Sequence, residues 1–531
     1  MRTHPRCAII SLMDKSLKTV FSVTVLTLLA RLLSLVSLQI YMAFFGPQDV
    51  ALNIYSYALN IPNIVANVFW TAIVAVVVPI YSGLIAKGEG DKAGGFLNDV
   101  ITIISLAMLI LVVVGFLAAP LIAGLTEYRH VVADFEFLVF ALRVMFLVVF
   151  FYGLNYIFQG YLHSHGKVRL AAFVVVPTSL IVIAYVLFLG DVFGVTGLLF
   201  ATVLGLSMQA FMLLPAVIKT GLRYRPSLNF KSPEVKNAGL LFMPILVSGL
   251  SFQGNMLFNM TLATRFNVVT IFFFVQNLIF AIMLTIVYSF TAVFLPKLSA
   301  LWALEDKENF ADTLRSIVMI IIFLMLPASA GFVFLRFEII NFLAQWGNFD
   351  MESAQISADM LGVFSLGILS ICLKEIIDRA FYAQKNSKFP ALFSFVIMAA
   401  NIVFCLIFVN RFELFTMAVG FPISTSVGVM GLVLVMNRRV VVINKAVLAV
   451  LAKSLVAVGV MVGVLYLLVP VLRGVELPIE VLTRLFVLVV PALVGGAVYF
   501  GCAYMLGMQQ AREVVSTLKS KITQRCFFPN Q

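Results

Sequence analysis

From Val50 to Ala86 the chain contains no Asp, Glu, Lys or Arg. A backbone this long and this apolar has few options. In hydrocarbon every amide and carbonyl must find a partner inside the protein, and only α-helices and closed barrels achieve that. The same pattern recurs along the chain to give fourteen candidate spans. They lie near 18–44, 52–86, 98–124, 133–162, 168–190, 194–218, 237–262, 266–302, 312–335, 353–383, 389–410, 416–437, 446–472 and 479–507. Most exceed the roughly 20 residues that cross a bilayer as helix, whereas a barrel would show short alternating segments. The expected fold is an all-α polytopic membrane protein with about fourteen transmembrane helices. Composition agrees: 11% of residues are charged, against about 25% in soluble proteins.

Two segments, 52–86 and 266–302, are too long for simple crossings. At a rise of about 1.5 Å per residue they reach about 50 Å, against a hydrocarbon core of about 30 Å. Each is expected to tilt, kink or project into water, with Pro62 as the kink in the first.

The net charge of +12 could suggest nucleic acid, but its placement excludes that reading. Most of the 36 Lys and Arg fall in the even-numbered loops and the two tails. The odd-numbered loops, with the adjoining start of the last span, hold six: Arg129, Arg265, Arg336, Arg411, Arg473 and Arg484. This bias places both termini in the cytoplasm. The basic loop from Lys219 to Lys236 is expected to meet anionic membrane lipid. Cys7, Cys372, Cys405, Cys502 and Cys526 are scattered and odd in number, so no disulfide framework or metal site follows. The apolar run Ala8 to Met13 is too short for a signal peptide. Met13 is a second candidate start, with the first span then serving as an uncleaved signal.

The chain also repeats itself. "IYSYALN" at Ile54 precedes Pro79, and "IFFFVQN" at Ile271 precedes Pro296, at a common offset of 217. The offset pairs Asn60 with Asn277. "FQGYLHSHGKVRLAAF" at Phe158 and "DRAFYAQKNSKFPALF" at Asp378 form a second pair at offset 220. The expected organisation is a cytoplasmic tail (1–17), an N-lobe of six spans (18–221), a basic cytoplasmic loop (222–236), a C-lobe of six spans (237–440), a terminal helix pair (441–508) and a basic cytoplasmic tail (509–531). Six spans per lobe is even, so the repeat is parallel, and parallel-repeat transporters place substrate between the halves.

Polar side chains recur at helical spacing on four of these spans. The second carries Asn53, Ser56, Asn60, Asn63, Asn67 and Thr71 on one stripe. The first carries Thr24, Thr27, Arg31 and Ser34, the seventh Ser248, Ser251, Asn255 and Asn259, and the eighth Gln276 and Asn277. Such residues often bond between packed helices in lipid. Their sharing across four homologous helices favours a wet cavity, and Arg31, Ser34, Asn53, Asn60, Asn67, Ser251, Asn255, Asn259, Gln276 and Asn277 are the candidate substrate contacts. Arg31 is the sharpest of them, because an Arg in mid-span usually faces a cavity or a carboxylate. On the tenth span, Lys374 with Asp378 and Glu375 with Arg379 are spaced as intrahelical pairs; a gate contact between halves is the alternative.

Nothing in the chain suggests catalysis, a metal or another cofactor. The four histidines, His4, His130, His163 and His165, fall in tails or loops, and no Walker A sequence occurs. A transporter of this kind draws on an ion gradient, the membrane potential or the substrate gradient.

The stretches "ARLLSLVSLQIYMAFFG" (Ala30 to Gly46), "NIPNIVANVF" (Asn60 to Phe69), "MPILVSGLSFQGNMLFN" (Met243 to Asn259), "VFLPKLSAL" (Val293 to Leu301) and "DRAFYAQKNSKFPALF" carry a resemblance over nearly the whole chain. In their order and spacing the chain resembles the MurJ (MviN) family of lipid II flippases, within the multidrug/oligosaccharidyl-lipid/polysaccharide exporter superfamily. The resemblance implies two six-helix lobes around a cavity, with the terminal pair forming a groove for a lipid tail. It implies alternating access in the bacterial cytoplasmic membrane, carrying an undecaprenyl-diphosphate-linked muropeptide for cell-wall synthesis. A monomer is expected. Several family charges are replaced here. Ser37 and Leu38 stand for an Arg-Asp pair, Asn53 for an acidic residue, Ala66 and Asn67 for an Arg pair, and Gln276 and Asn277 for an acidic-basic pair. Arg31 alone is retained. A flippase for another lipid-linked oligosaccharide and a cation-coupled drug exporter of the same superfamily are the alternatives. A membrane transferase would need carboxylates or histidines grouped at one membrane face, and none are found; a non-transporting scaffold in an envelope assembly stays open because the cavity loses most of its charge.

Overall fold

The computed structural model describes residues 26–27, 29–165, 167, 170, 173–222, 224–475 and 477–513. Every regular element among them is helical. The first is α1 (Leu29–Phe45). Gly46, at a left-handed φ of 90°, turns the chain into α2 (Val50–Ala72). Pro62 sits inside α2, which runs on as α-helix. The interruption comes later, at a π-helical turn (Ile73–Val77) that leads into α3 (Val78–Ala86). The expected kink position, Pro62, lies inside α2, and the change of helix type falls about three turns beyond it. A π turn inserts one residue and rotates the face of everything beyond it.

There follow α4 (Gly90–Gly124), α5 (Val132–Ser164) and α6 (Val176–Lys219). In α6, Pro177 stands in the first turn, where a missing N–H costs nothing. The start of the fifth candidate span, at 168, lies outside the described residues. Inside α6, Gly194 takes φ 54° and ψ −150°, a conformation open essentially to glycine alone. It separates the fifth candidate span from the sixth.

The second half runs through α7 (Pro233–Thr264), α8 (Val269–Ala303), α9 (Lys307–Phe334) and a short α10 (Arg336–Leu343). Next come α11 (Met351–Ser365) and α12 (Ile368–Ala383), bent by 45° within the single candidate span 353–383. The chain ends with α13 (Lys388–Phe412), α14 (Thr416–Arg439), α15 (Lys445–Arg473) and α16 (Glu480–Met505). Among the described residues five helices begin with a side-chain cap: Asp49 on Leu52 N, Ser232 on Val235 N, Asp306 on Asn309 N, Asp350 on Ser353 N and Asn444 on Val447 N. Each satisfies an amide that the helix itself leaves open.

By length and hydropathy, 7 described helical stretches meet the requirement for crossing a membrane, or 8 with the bent pair. Two of them, Val176–Lys219 and Lys388–Arg439, each hold two candidate spans. The fold is all-α and polytopic.

Two compact units are distinguished. The first comprises residues 1–273 with 346–349, and the second comprises 274–345 with 350–531. In the first, α2 lies against α5 and α7, and α5 against α4 and α6. In the second, α9 lies against α12 and α15, and α15 against α16. The terminal pair is held by a cluster of Phe323, Ala457, Met461, Leu465, Tyr499 and Ala503. The Tyr499 hydroxyl donates to Phe323 O at 2.8 Å. Gly495 lets the two helices close, since a Cβ there would lie 3.3 Å from Leu465.

Candidate functional site

The polar stripe of α2 divides along its length. Asn53 is fully buried: its Nδ2 donates to Pro47 O (2.9 Å) and Asp49 O (2.8 Å), and its Oδ1 accepts from Thr270 N (2.9 Å). Ser56 and Thr270 share a hydroxyl–hydroxyl bond of 2.8 Å. Asn60 donates back to Ser56 O at 2.7 Å, and Asn63 to Leu59 O at 2.9 Å. The Tyr152 hydroxyl donates to Asn63 Oδ1. Asn67, two turns beyond Asn60, is exposed. One end of the stripe therefore fastens α2 to its neighbours, and the other opens to the surroundings.

Residues off the stripe strengthen the closed end. The hydroxyl of Tyr55 meets Thr202 at 2.8 Å and that of Tyr57 meets Thr261 at 2.9 Å. Asn267, at the elbow between α7 and α8, donates to Gln48 O at 2.6 Å. Its φ of 52° is one that asparagine tolerates better than most residues. These tyrosines and threonines were missed in the sequence, because a Tyr or Thr among apolar residues gives no sign of its distant partner.

On α7, Ser251, Asn255 and Asn259 are buried, at 8%, 2% and 0% exposure. On α8, Gln276 is buried and Asn277 half-buried. On α1, Arg31 is half-buried and Ser34 exposed, one turn apart. Among the described residues Arg31 forms no ion pair. A guanidinium held without a carboxylate retains its donors for an anion. Arg143 of α5 lies over the Phe116 ring, 4.8 Å from its centroid.

On α12, Lys374 Nζ meets Asp378 Oδ2 at 2.6 Å, and Arg379 meets Glu375 at 3.4 Å. The first pair is the more deeply buried, with side-chain exposures of 14% and 7%. Among the described residues no group of His, Cys, Asp and Glu has the arrangement of a metal site. Asp350 lies in the turn before α11, where hydrogen bonds from Ser353 hold its carboxyl below the usual range.

The model of the family described as lipid II flippase MurJ matches residues 42–486. The chain belongs to the MurJ family. Curated members include a probable lipid II flippase MurJ of Bdellovibrio bacteriovorus, 24% identical over 94% of this chain and 96% of its own length. One from Rickettsia prowazekii is 26% identical over 70% of this chain and 75% of its own. Among solved structures, a lipid II flippase MurJ in an inward closed conformation superposes with a TM-score of 0.72 at 19% identity, covering 93% of this chain and 99% of that one. An inward-facing multidrug resistance transporter of the MATE family, in the MOP superfamily, reaches 0.63 at 18% identity and covers 77% of this chain and 94% of its own. The MurJ structure thus accounts for a share of the fold that the multidrug transporter lacks.

Proposed function

We propose that this chain is a flippase that moves a lipid-linked peptidoglycan precursor, lipid II or a close variant, across the bacterial cytoplasmic membrane by alternating access. It is a transporter and not a catalyst. The observation that carries the reading is the MurJ family match from residue 42 to 486. The larger coverage by the MurJ fold than by the multidrug fold argues against the drug-exporter alternative.

In this reading both termini are cytoplasmic, and two six-span lobes, 18–221 and 237–440, alternate around the substrate. The divided stripe of α2 supports such a cycle. Asn53 begins α2, at the end the charge bias assigns to the outside, and is sealed by Thr270. Asn67 lies toward the cytoplasmic end and is exposed. A cavity closed outside and open inside would leave the stripe in this state. Arg31, Ser34 and Asn67 then contact the headgroup first. Asn53, Asn60, Ser251, Asn255, Asn259, Gln276 and Asn277 become available as the outer end opens. The α12 pairs serve as structural pairs or a gate. A monomer driven by the membrane potential or an ion gradient needs no further component.

The test is replacement of the resident flippase in a depletable bacterial host. Growth with normal lipid II turnover is the expected outcome. Accumulation of lipid II on the cytoplasmic side, despite expression of the chain, would overturn the substrate assignment. Turnover of a different lipid-linked glycan in the same host would favour the oligosaccharide alternative.

A further inference from the structure

The ends of α15 and α16 meet the short helix α10 around a cavity of about 210 Å³, lined by Phe337, Glu338, Asn341, Arg473 and Arg484 among others. Glu338 is only 4% exposed. Arg473 donates to it from Nε at 2.9 Å and from Nη2, and both bonds end on the same oxygen, Oε1. The other oxygen, Oε2, is buried and accepts no hydrogen bond from the protein; Asn341 Oδ1 is in the same condition. A buried acceptor left without a donor is costly, most of all on a carboxylate.

Arg473 shows the opposite face of the same pair. Its side chain is 54% exposed, and its guanidinium lies 5.7 Å from the centre of the Phe337 ring. Arg484 is committed elsewhere: it donates to Asn341 O at 3.1 Å and Gln345 O at 2.6 Å, and pairs with Glu480. It adds positive potential without offering a free edge. Glu338 and Asn341 therefore line the cavity with unused acceptors that lie closed to solvent until their side chains turn toward it, and an accessible cation stands at its mouth. An ion pair open on both edges is complementary to a second pair laid antiparallel to it, with an ammonium against Glu338 and Asn341 and an anion against Arg473.

The surroundings indicate where such a zwitterion comes from. Leu467 and Val471 of α15 are 72% and 69% exposed, and Leu482 and Leu485 of α16 are 47% and 38% exposed. Apolar side chains standing outward beside the mouth suit acyl chains rather than water. We propose that this cavity binds the headgroup of a phospholipid bearing a primary ammonium, a phosphoethanolamine lipid. With the Glu338 and Asn341 side chains turned toward the cavity, the ammonium donates to Glu338 Oε2 and Asn341 Oδ1, and the phosphate meets Arg473. The site lies at the ends of the terminal pair, apart from the polar-stripe residues assigned to the transported headgroup, and requires no particular transported molecule.

The test uses the purified full chain in detergent. It measures retained lipid by native mass spectrometry, and thermal stability, with dioleoyl phosphatidylethanolamine, phosphatidylcholine or phosphatidylglycerol added. Free phosphoethanolamine forms a fourth arm. The ethanolamine lipid should bind about tenfold more tightly than the choline lipid, whose quaternary ammonium cannot donate. Glu338→Gln keeps the side-chain shape and should remove that preference. Asn341→Leu gives an independent reading should the first variant fold poorly, and should remove it too. Equal binding of the two lipids, or a preference that survives Asn341→Leu, would overturn the proposal; either result means a solvated cavity only. Preference for phosphatidylglycerol would also overturn it, and binding of free phosphoethanolamine as tight as the lipid would overturn the lipid source. None of these outcomes bears on flipping, which is read separately in the depletable host.

Discussion

Asn53 Oδ1 accepts the backbone amide of Thr270 at 2.9 Å, and the two residues stand 217 positions apart. That separation equals the offset of the internal repeat. Asn53 and Thr270 are therefore equivalent positions, one from each copy, bonded directly to each other. Ser56 and Leu52 O join the contact through the Thr270 hydroxyl.

Replacing Asn53 by Ala leaves the Thr270 amide and two carbonyls without this partner. A loss of about 1–3 kcal/mol in stability is expected. Thermal unfolding of the purified variant reads it directly. An unchanged melting temperature would mean that water replaces the amide and that this end is not sealed.

Arg31 has no carboxylate partner among the described residues. Arg31→Gln is therefore expected to keep the wild-type melting temperature. Flipping should fall about tenfold or more, the value of one charge-assisted contact to a diphosphate. Reconstituted flipping and thermal unfolding measured side by side separate the two effects. A destabilised variant would identify Arg31 as part of a structural pair, and a stable, fully active one would remove it from the pathway.

The charge bias makes a topological prediction. Single cysteines at Arg129 and Arg411, both exposed, should react with a membrane-impermeant maleimide in intact cells. Cysteines at Lys92 and Lys231 should react only after lysis. The reverse pattern would invert the assignment of both termini.

Asp350 caps α11 through Ser353 N at 2.9 Å, and its carboxyl is held below the usual range. A carboxylate depressed in the folded state contributes stability that is present above its ordinary pKa. That contribution is lost as the pH falls through the folded value. Asp350→Ala should therefore cost about 1 kcal/mol near neutrality. The cost should shrink as the pH drops below the normal carboxylate range. Melting curves of both proteins across that range should converge at the acid end.

Tyr499→Phe removes a hydroxyl that reaches Phe323 O at 2.8 Å and Ser454 Oγ at 3.3 Å. A loss of about 1 kcal/mol is expected. Limited proteolysis between α15 and α16 should quicken, because this hydroxyl ties α16 to both α9 and α15.

The sequence by itself determined the helical, membrane-crossing character of the chain and the approximate place of its spans. It also carried the family resemblance that the later comparison established. The reason is local: in hydrocarbon a helix satisfies its own backbone, so length and hydropathy suffice to reveal it. Only the tertiary structure decided what the polar residues meet. Periodicity put Asn53 and Asn67 on one stripe, yet one is sealed against Thr270 and the other is exposed, because a helical period specifies a face and not its neighbour. Where the long helices break was likewise a tertiary matter. Pro62 stays inside α2, the π turn falls at Ile73–Val77, and a bend separates Ser365 from Ile368. Glu338 and Arg473 lie 135 positions apart, and no local pattern joins them. Only chain folding brings that carboxylate and that guanidinium to one cavity.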